Sequence, residues 1–185
     1  LLSKFFYSDI GAVRDLAQQE LLEREDRLTA VGSLKVILAD SSTESYLHQL
    51  HAMWTLFKLQ QLESADLLDL LNSPHPDLVR NALSVLPQII TSESQVPTDL
   101  MDAVQRLAQS PHVNVRMQLA LTIGDLPAAD ASARAQYAAM LVSILRQDPD
   151  DVWIQQGVLT SCKDLGADVF ERLVADGSSQ PQELH

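Results

Sequence analysis

Apolar side chains along this chain recur at steps of three and four residues, in blocks separated by short polar or proline-bearing breaks. That is the period of one face of an α-helix; sustained alternation with period two, the mark of a half-buried strand, is missing. The blocks read 1–7, 9–24, 27–39, 44–61, 64–72, 76–91, 97–109, 113–125, 130–147, 150–164 and 167–175. Connections this short leave no room for crossovers, so successive helices are expected to lie antiparallel as helical hairpins.

Alternate blocks resemble one another. The second helix of each pair is anchored on Val13-Arg14, Leu47-His48, Val79-Arg80, Val115-Arg116 and Ile154-Gln155, which are 34, 32, 36 and 39 residues apart. Four positions beyond the anchors stand Ala17, His51, Leu83, Leu119 and Val158. A period in the thirties signals stacked repeats, because one hairpin cannot bury its apolar face alone. The clearest self-match sets Ser73-Pro74-His75-Pro76-Asp77-Leu78-Val79-Arg80 against Ser110-Pro111-His112-Val113-Asn114-Val115-Arg116, one residue shorter. Proline ends the first helix of each pair by pushing the preceding residue out of helical geometry. Asp77 and Asn114, near the next helix start, are expected to accept orphan amide hydrogens. A third copy, Asp148-Pro149-Asp150-Asp151-Val152-Trp153-Ile154-Gln155, keeps the acidic turn and loses the arginine.

Composition narrows the classes. At 185 residues and 46% hydrophobic content, the chain can bury roughly 70% of its unfolded surface as one domain. We expect a repeat solenoid over 1–176 and a short tail over 177–185. No apolar run approaches the roughly 20 residues that a bilayer span needs. The net charge of −12, from 25 acids against 13 bases, repels phosphate, so neither nucleic acid nor an anionic membrane is expected as a partner. The start, Leu1-Leu2-Ser3-Lys4, has no methionine and reads as part of a longer or processed polypeptide.

An acidic or Asn turn, then Val-Arg, then a small or apolar residue four positions on, resembles the HEAT repeats and their armadillo-like relatives over nearly the whole chain. The resemblance implies an all-α, right-handed α-α superhelix of about five helical hairpins, in which Arg14, Arg80 and Arg116 meet a carboxylate of a neighbouring repeat. His48 and Gln155 depart from the pattern. A second likeness lies in Ala12-Val13-Arg14-Asp15-Leu16-Ala17-Gln18 with Leu21-Leu22, and in Leu50-His51-Ala52-Met53-Trp54-Thr55-Leu56. These resemble the HEAT segment of exported Pirellula and Verrucomicrobium membrane-bound dehydrogenase proteins, where it sits between a sugar-dehydrogenase-like propeller and a c-type cytochrome domain. That likeness implies a periplasmic or extracellular parent protein whose redox domains this segment positions. The chain lacks Cys-x-x-Cys-His, so no haem attaches covalently to it.

Catalytic chemistry finds no seat. His48 and His51 stand one helical turn apart, but no third ligand has a matching offset, and no metal or other cofactor is expected. His75 and His112 recur at helix starts, where hydrogen bonding within a turn accounts for them. HEAT-type hydroxylases bind iron through His-Glu dipeptides, and there are none here. The lone Cys162 falls on the inward stripe as a packed thiol. Serines at 41–45, 92–94 and 178–179 fall in breaks, with no Gly-x-Ser-x-Gly elbow and no phosphate loop. A HEAT-like glycosylase acting on DNA would need a basic, aromatic groove, against an acidic chain with 5% aromatic residues.

Surface binding remains. Offsets two and six after the anchors turn away from the first helix of each pair, and in the middle repeats they carry Met53, Val85, Met117 and Leu121. These residues form either a docking stripe or the packing between repeats. Trp54 shares the core stripe of Leu47, whereas Trp153 either caps the next repeat or stands exposed as a contact residue, the cap being favoured. The function expected is a non-catalytic protein-protein interaction scaffold or rigid spacer, whose partner is a protein or the flanking domains of the same chain.

Overall fold

Burial explains where the helices begin, end and face. The structure, a computed structural model, describes residues 2–40, 46–90 and 95–177. Among these, all regular structure is helical. A 3-10 turn spans Leu2–Tyr7, followed by α1 (Gly11–Glu23), a second 3-10 turn (Arg27–Ala30), α2 (Val31–Leu38), α3 (Tyr46–Lys58), α4 (Ser64–Leu71), α5 (Pro76–Ile89), α6 (Thr98–Leu107), α7 (Val113–Ile123), α8 (Ala131–Gln147) and α9 (Val152–Gly177). Every block of the apolar pattern has its helix or turn, with one correction. The blocks 150–164 and 167–175 are a single helix, α9, which runs through Gly166. The serine clusters at 41–45, 92–94 and 178–179, and the tail beyond 177, lie outside the described residues.

Side-chain carboxylates set several helix starts. The Asp130 carboxylate accepts the Ala133 N–H at 2.8 Å at the start of α8, and Asp151 accepts the Trp153 and Ile154 N–H groups at 2.8 and 3.1 Å at the start of α9. The backbone of Glu63 donates to Asp66 at 2.8 Å ahead of α4. At the other end of α3, Gln60 takes a left-handed φ of 58° and the Gln61 N–H reaches back to the Leu56 carbonyl at 2.9 Å, so the helix stops there.

The chain divides into two units, one ending at Val85 and the other starting at Leu86. In the first, α3 packs on α1 and α2. His51 of α3 lies against Gln18 (3.4 Å) and Asp15 (3.9 Å) of α1, while Lys58 shares a surface hollow with Leu22 and Glu23. Both partners advance together, so α1 and α3 run parallel. The same holds for α3 and α5: the Tyr46 and His75 rings stack at 4.9 Å, and Trp54 Nε1 donates to Asn81 Oδ1 at 3.0 Å. Phe6, Leu34, Leu56, Leu67, Leu78 and Leu83 fill the core of this unit.

In the second unit α9 packs on both α7 and α8. Gln105 of α6 meets Gln136 of α8 at 3.1 Å, and Gln109 hydrogen-bonds Ser143, so these two helices are parallel. Helix α9 returns antiparallel to α8, its Asp168 paired with Arg134 at 2.9 Å far from their short connection. Two glycines bring α7 and α9 close. A methyl group on Gly124 would stand 2.7 Å from Ser161 Cα, and one on Gly157 would stand 3.3 Å from Ala120 Cβ. Ser161 Oγ accepts the Gly124 N–H at 2.9 Å and donates to the Ala120 carbonyl. Tyr137 of α8, also buried, donates to the Pro127 carbonyl at 2.9 Å, and burial pushes its pKa up to about 12.

Candidate protein-binding surface

The repeated Val-Arg and Ile-Gln dipeptides build one recurring local device. Arg14 donates to the Ser8 carbonyl, Arg116 to the Ser110 carbonyl and Gln155 to the Pro149 carbonyl, each six residues back, across the turn that opens its helix. The serine hydroxyls at the same place accept a backbone N–H two residues on: Ser8 from Ile10, Ser73 from His75 and Ser110 from His112. These bonds correct the expected roles of Asp77 and Asn114. Both residues are exposed in the first helical turn; Asp77 pairs with Arg80 at 3.3 Å, and α7 starts without a side-chain cap. A serine spaced six residues ahead of Arg14 and Arg116 was the signal available in the sequence.

The three arginines have different surroundings. Arg116 is buried and forks onto Asp148, 32 residues on, with Nε at 2.9 Å. Arg14 is buried with its Nε unpartnered. The Arg80 side chain is 42% exposed and turns to its own helix.

Of the expected stripe, Met53 and Val85 are buried and Met117 and Leu121 half-buried. In α3 the buried positions are Ala52, Met53, Thr55 and Leu56, so the frame of that repeat is set by Gln49 rather than Leu47, and Met53 is a core residue. In α7 the stripe faces α9, where Leu121 Cγ and the Met117 carbonyl lie beside Gly157. Packing between helices thus accounts for Met53, Met117 and Leu121. Trp153 is 73% exposed in the first turn of α9, so it is not a cap.

In the second unit the exposed apolar side chains gather on α9. Val152, Leu159, Phe170 and Val174 are all more than half exposed, and their spacings of 7, 11 and 4 place them on one side of a helix about 39 Å long. Beside this stripe a groove of about 500 Å³ runs between α8 and α9, floored by Leu145, Val158, Leu159, Cys162, Val169 and Leu173. Cys162 is half-buried there, not fully packed, and burial pushes its thiol pKa up.

The histidines pack against aromatic rings. His48 lies 4.9 Å from the Tyr7 ring and His51 meets the edge of Phe6 at 6.3 Å. Burial, reinforced by the Arg14 charge, lowers the pKa of both. His112 is exposed, whereas His75 stacks on Tyr46 with its Nε2 buried and unpartnered. Near it, Lys35 pairs with Asp66 and with Glu63 (3.1 Å) at a cleft of about 500 Å³; burial lowers the ammonium pKa, but these hydrogen bonds outweigh it and the net shift is upward. Among the described residues no three His, Cys, Asp or Glu side chains cluster as metal ligands, and no helix is long and apolar enough to cross a membrane. Comparison of the chain with protein families, curated proteins and solved structures returns no match.

Proposed function

We propose that this chain is a HEAT-like repeat scaffold, a right-handed stack of about five helical hairpins that binds protein through its surface and performs no chemistry itself. The observation that carries the reading is the sequence separation of the contacts between neighbouring helices. His51 with Gln18, Gln105 with Gln136, Arg116 with Asp148 and Gly124 with Ser161 are 33, 31, 32 and 37 residues apart. These separations, with the 27 and 29 residues between Trp54 and Asn81 and between Tyr46 and His75, all lie near the length of one helical hairpin, as stacking of like hairpins requires. The exposed apolar face of α9 supplies a contact surface of the kind that interaction sites use.

A photo-crosslinking phenylalanine placed at Trp153 or Phe170, in the cells that make the protein, should give a discrete protein adduct, and the same probe at the exposed Asp102 should give none. Adducts at none of the apolar positions would contradict the reading.

A further inference from the structure

We infer that the Leu2–Tyr7 turn is an acid-released cap: it stays docked on α1 and α3 while His48 and His51 are neutral, and protonation of the two histidines frees it. The inference goes beyond the scaffold reading and does not rest on it. The turn packs on both helices. Phe6, 0% exposed, lies 6.3 Å from the His51 ring, and Tyr7 lies 4.9 Å from the His48 ring. The two histidines stand one helical turn apart on α3, so one titration acts on both aromatic contacts of the cap.

Neutral rings suit this place and charged ones do not. A neutral imidazole carries one N–H and one acceptor nitrogen, whereas the imidazolium carries two N–H groups. His48 Nδ1 is buried and has no hydrogen-bond partner among the described residues, so a charged ring leaves an N–H there without an acceptor. Arg14, buried at the same junction and bonded to the Ser8 carbonyl, sets a like charge against both rings. Asp9 and Asp40 act the other way on His48, as does Asp15 on His51, 3.9 Å from its Nδ1. Burial first, and Arg14 second, outweigh these carboxylates, and both histidines titrate below their ordinary value.

Release of the turn removes the cover of Phe6 and Tyr7 and leaves Arg14 and Asp15 in place on α1. Water then solvates both rings and screens Arg14, so the released state binds protons more readily than the docked one. Docking is therefore at full strength above the ordinary histidine pKa of about 6.5. It weakens as pH falls below that value, by up to about tenfold per histidine for each pH unit, until the lowered pKa of the docked state is passed.

A nitroxide on Phe5→Cys, at a position of the turn that is 52% exposed, reports docking in the full chain carrying Cys162→Ser. Between about pH 7.5 and about pH 5 the ratio of mobile to immobile label should rise at least about tenfold, with helix content by circular dichroism unchanged. His48→Gln combined with His51→Gln should remove the rise. His112→Gln, at an exposed histidine, should keep it. So should Glu44→Gln, four residues before His48 and outside the described residues. In the unsubstituted chain the ring protons of His48 and His51 should titrate below about pH 6.5, a reading that stands even where the double variant does not fold.

Constant label mobility, a rise that survives the double variant, a rise lost with Glu44→Gln, or ring titration at or above about pH 6.5 overturns the inference. Loss of helix in step with the label does so too, since acid would then unfold the protein as a whole. A label that grows less mobile in acid also overturns it, because the Tyr7 ring would then hold a charged His48 through its face.

Discussion

At the scale of single residues, the same letter in the repeat carries different weights, and the surroundings decide. Arg116 spends all three of its guanidinium nitrogens on the Ser110 carbonyl and the Asp148 carboxylate, away from solvent. Removing a buried charge partner leaves the other unsatisfied. Arg116→Met should therefore cost about 2–4 kcal/mol of unfolding free energy in urea titrations, while Arg80→Met, which breaks one exposed pairing within its own helix, should cost less than about 1 kcal/mol. Equal losses at the two positions would contradict this difference. The recurrence of Val-Arg was legible in the sequence because it repeats at a fixed period. What each arginine meets was not, because Asp148 is 32 residues from Arg116 and only packing brings it near. The serine devices were legible in principle, as the six-residue spacing from Ser8 to Arg14 and from Ser110 to Arg116 shows.

At the scale of elements, periodicity located the helices and misjudged two facts about them. Gly166 reads as a break, yet glycine inside a helix costs only about 1 kcal/mol, and burial of Leu165 and Val169 on either side offsets it, so α9 continues. The stripe of Met117 and Leu121 faces away from its own hairpin partner, as the offsets require, but that direction is where α9 lies. An apolar offset alone does not distinguish solvent from the next repeat. The close approach of α7 and α9 gives a direct check. Gly124→Ala drives a methyl group into the backbone at Ser161 and should destabilise the protein by about 1–3 kcal/mol. Gly166→Ala meets only its own helix, at 4.0 Å from Cys162 Cβ, and should stabilise by about 0.5–1 kcal/mol. Thermal unfolding of the two variants reads both signs; a neutral Gly124→Ala would mean that the two helices do not touch as described.

At the scale of the whole molecule, the apolar pattern was enough for an all-helical chain, because helix positions depend on local spacing. Which apolar residues stay uncovered depends on packing: Met53 and Val85 are buried, whereas Val152, Leu159, Phe170 and Val174 of α9 are exposed, and these carry the proposed contact surface. The central claim of the proposed reading is translation within each unit: α1, α3 and α5 in the first and α6 and α8 in the second lie side by side and parallel, about one repeat period apart. Disulfide trapping in a Cys162→Ser background tests it most directly. With cysteines placed pairwise, Gln105→Cys with Gln136→Cys and Gln109→Cys with Ser143→Cys should each form a crosslink under mild oxidation, since those side chains already touch. The crossed pairs, 105 with 143 and 109 with 136, should not. Efficient crosslinking of the crossed pairs, with the direct pairs unreactive, would make α6 and α8 antiparallel and would contradict a stack of repeated hairpins.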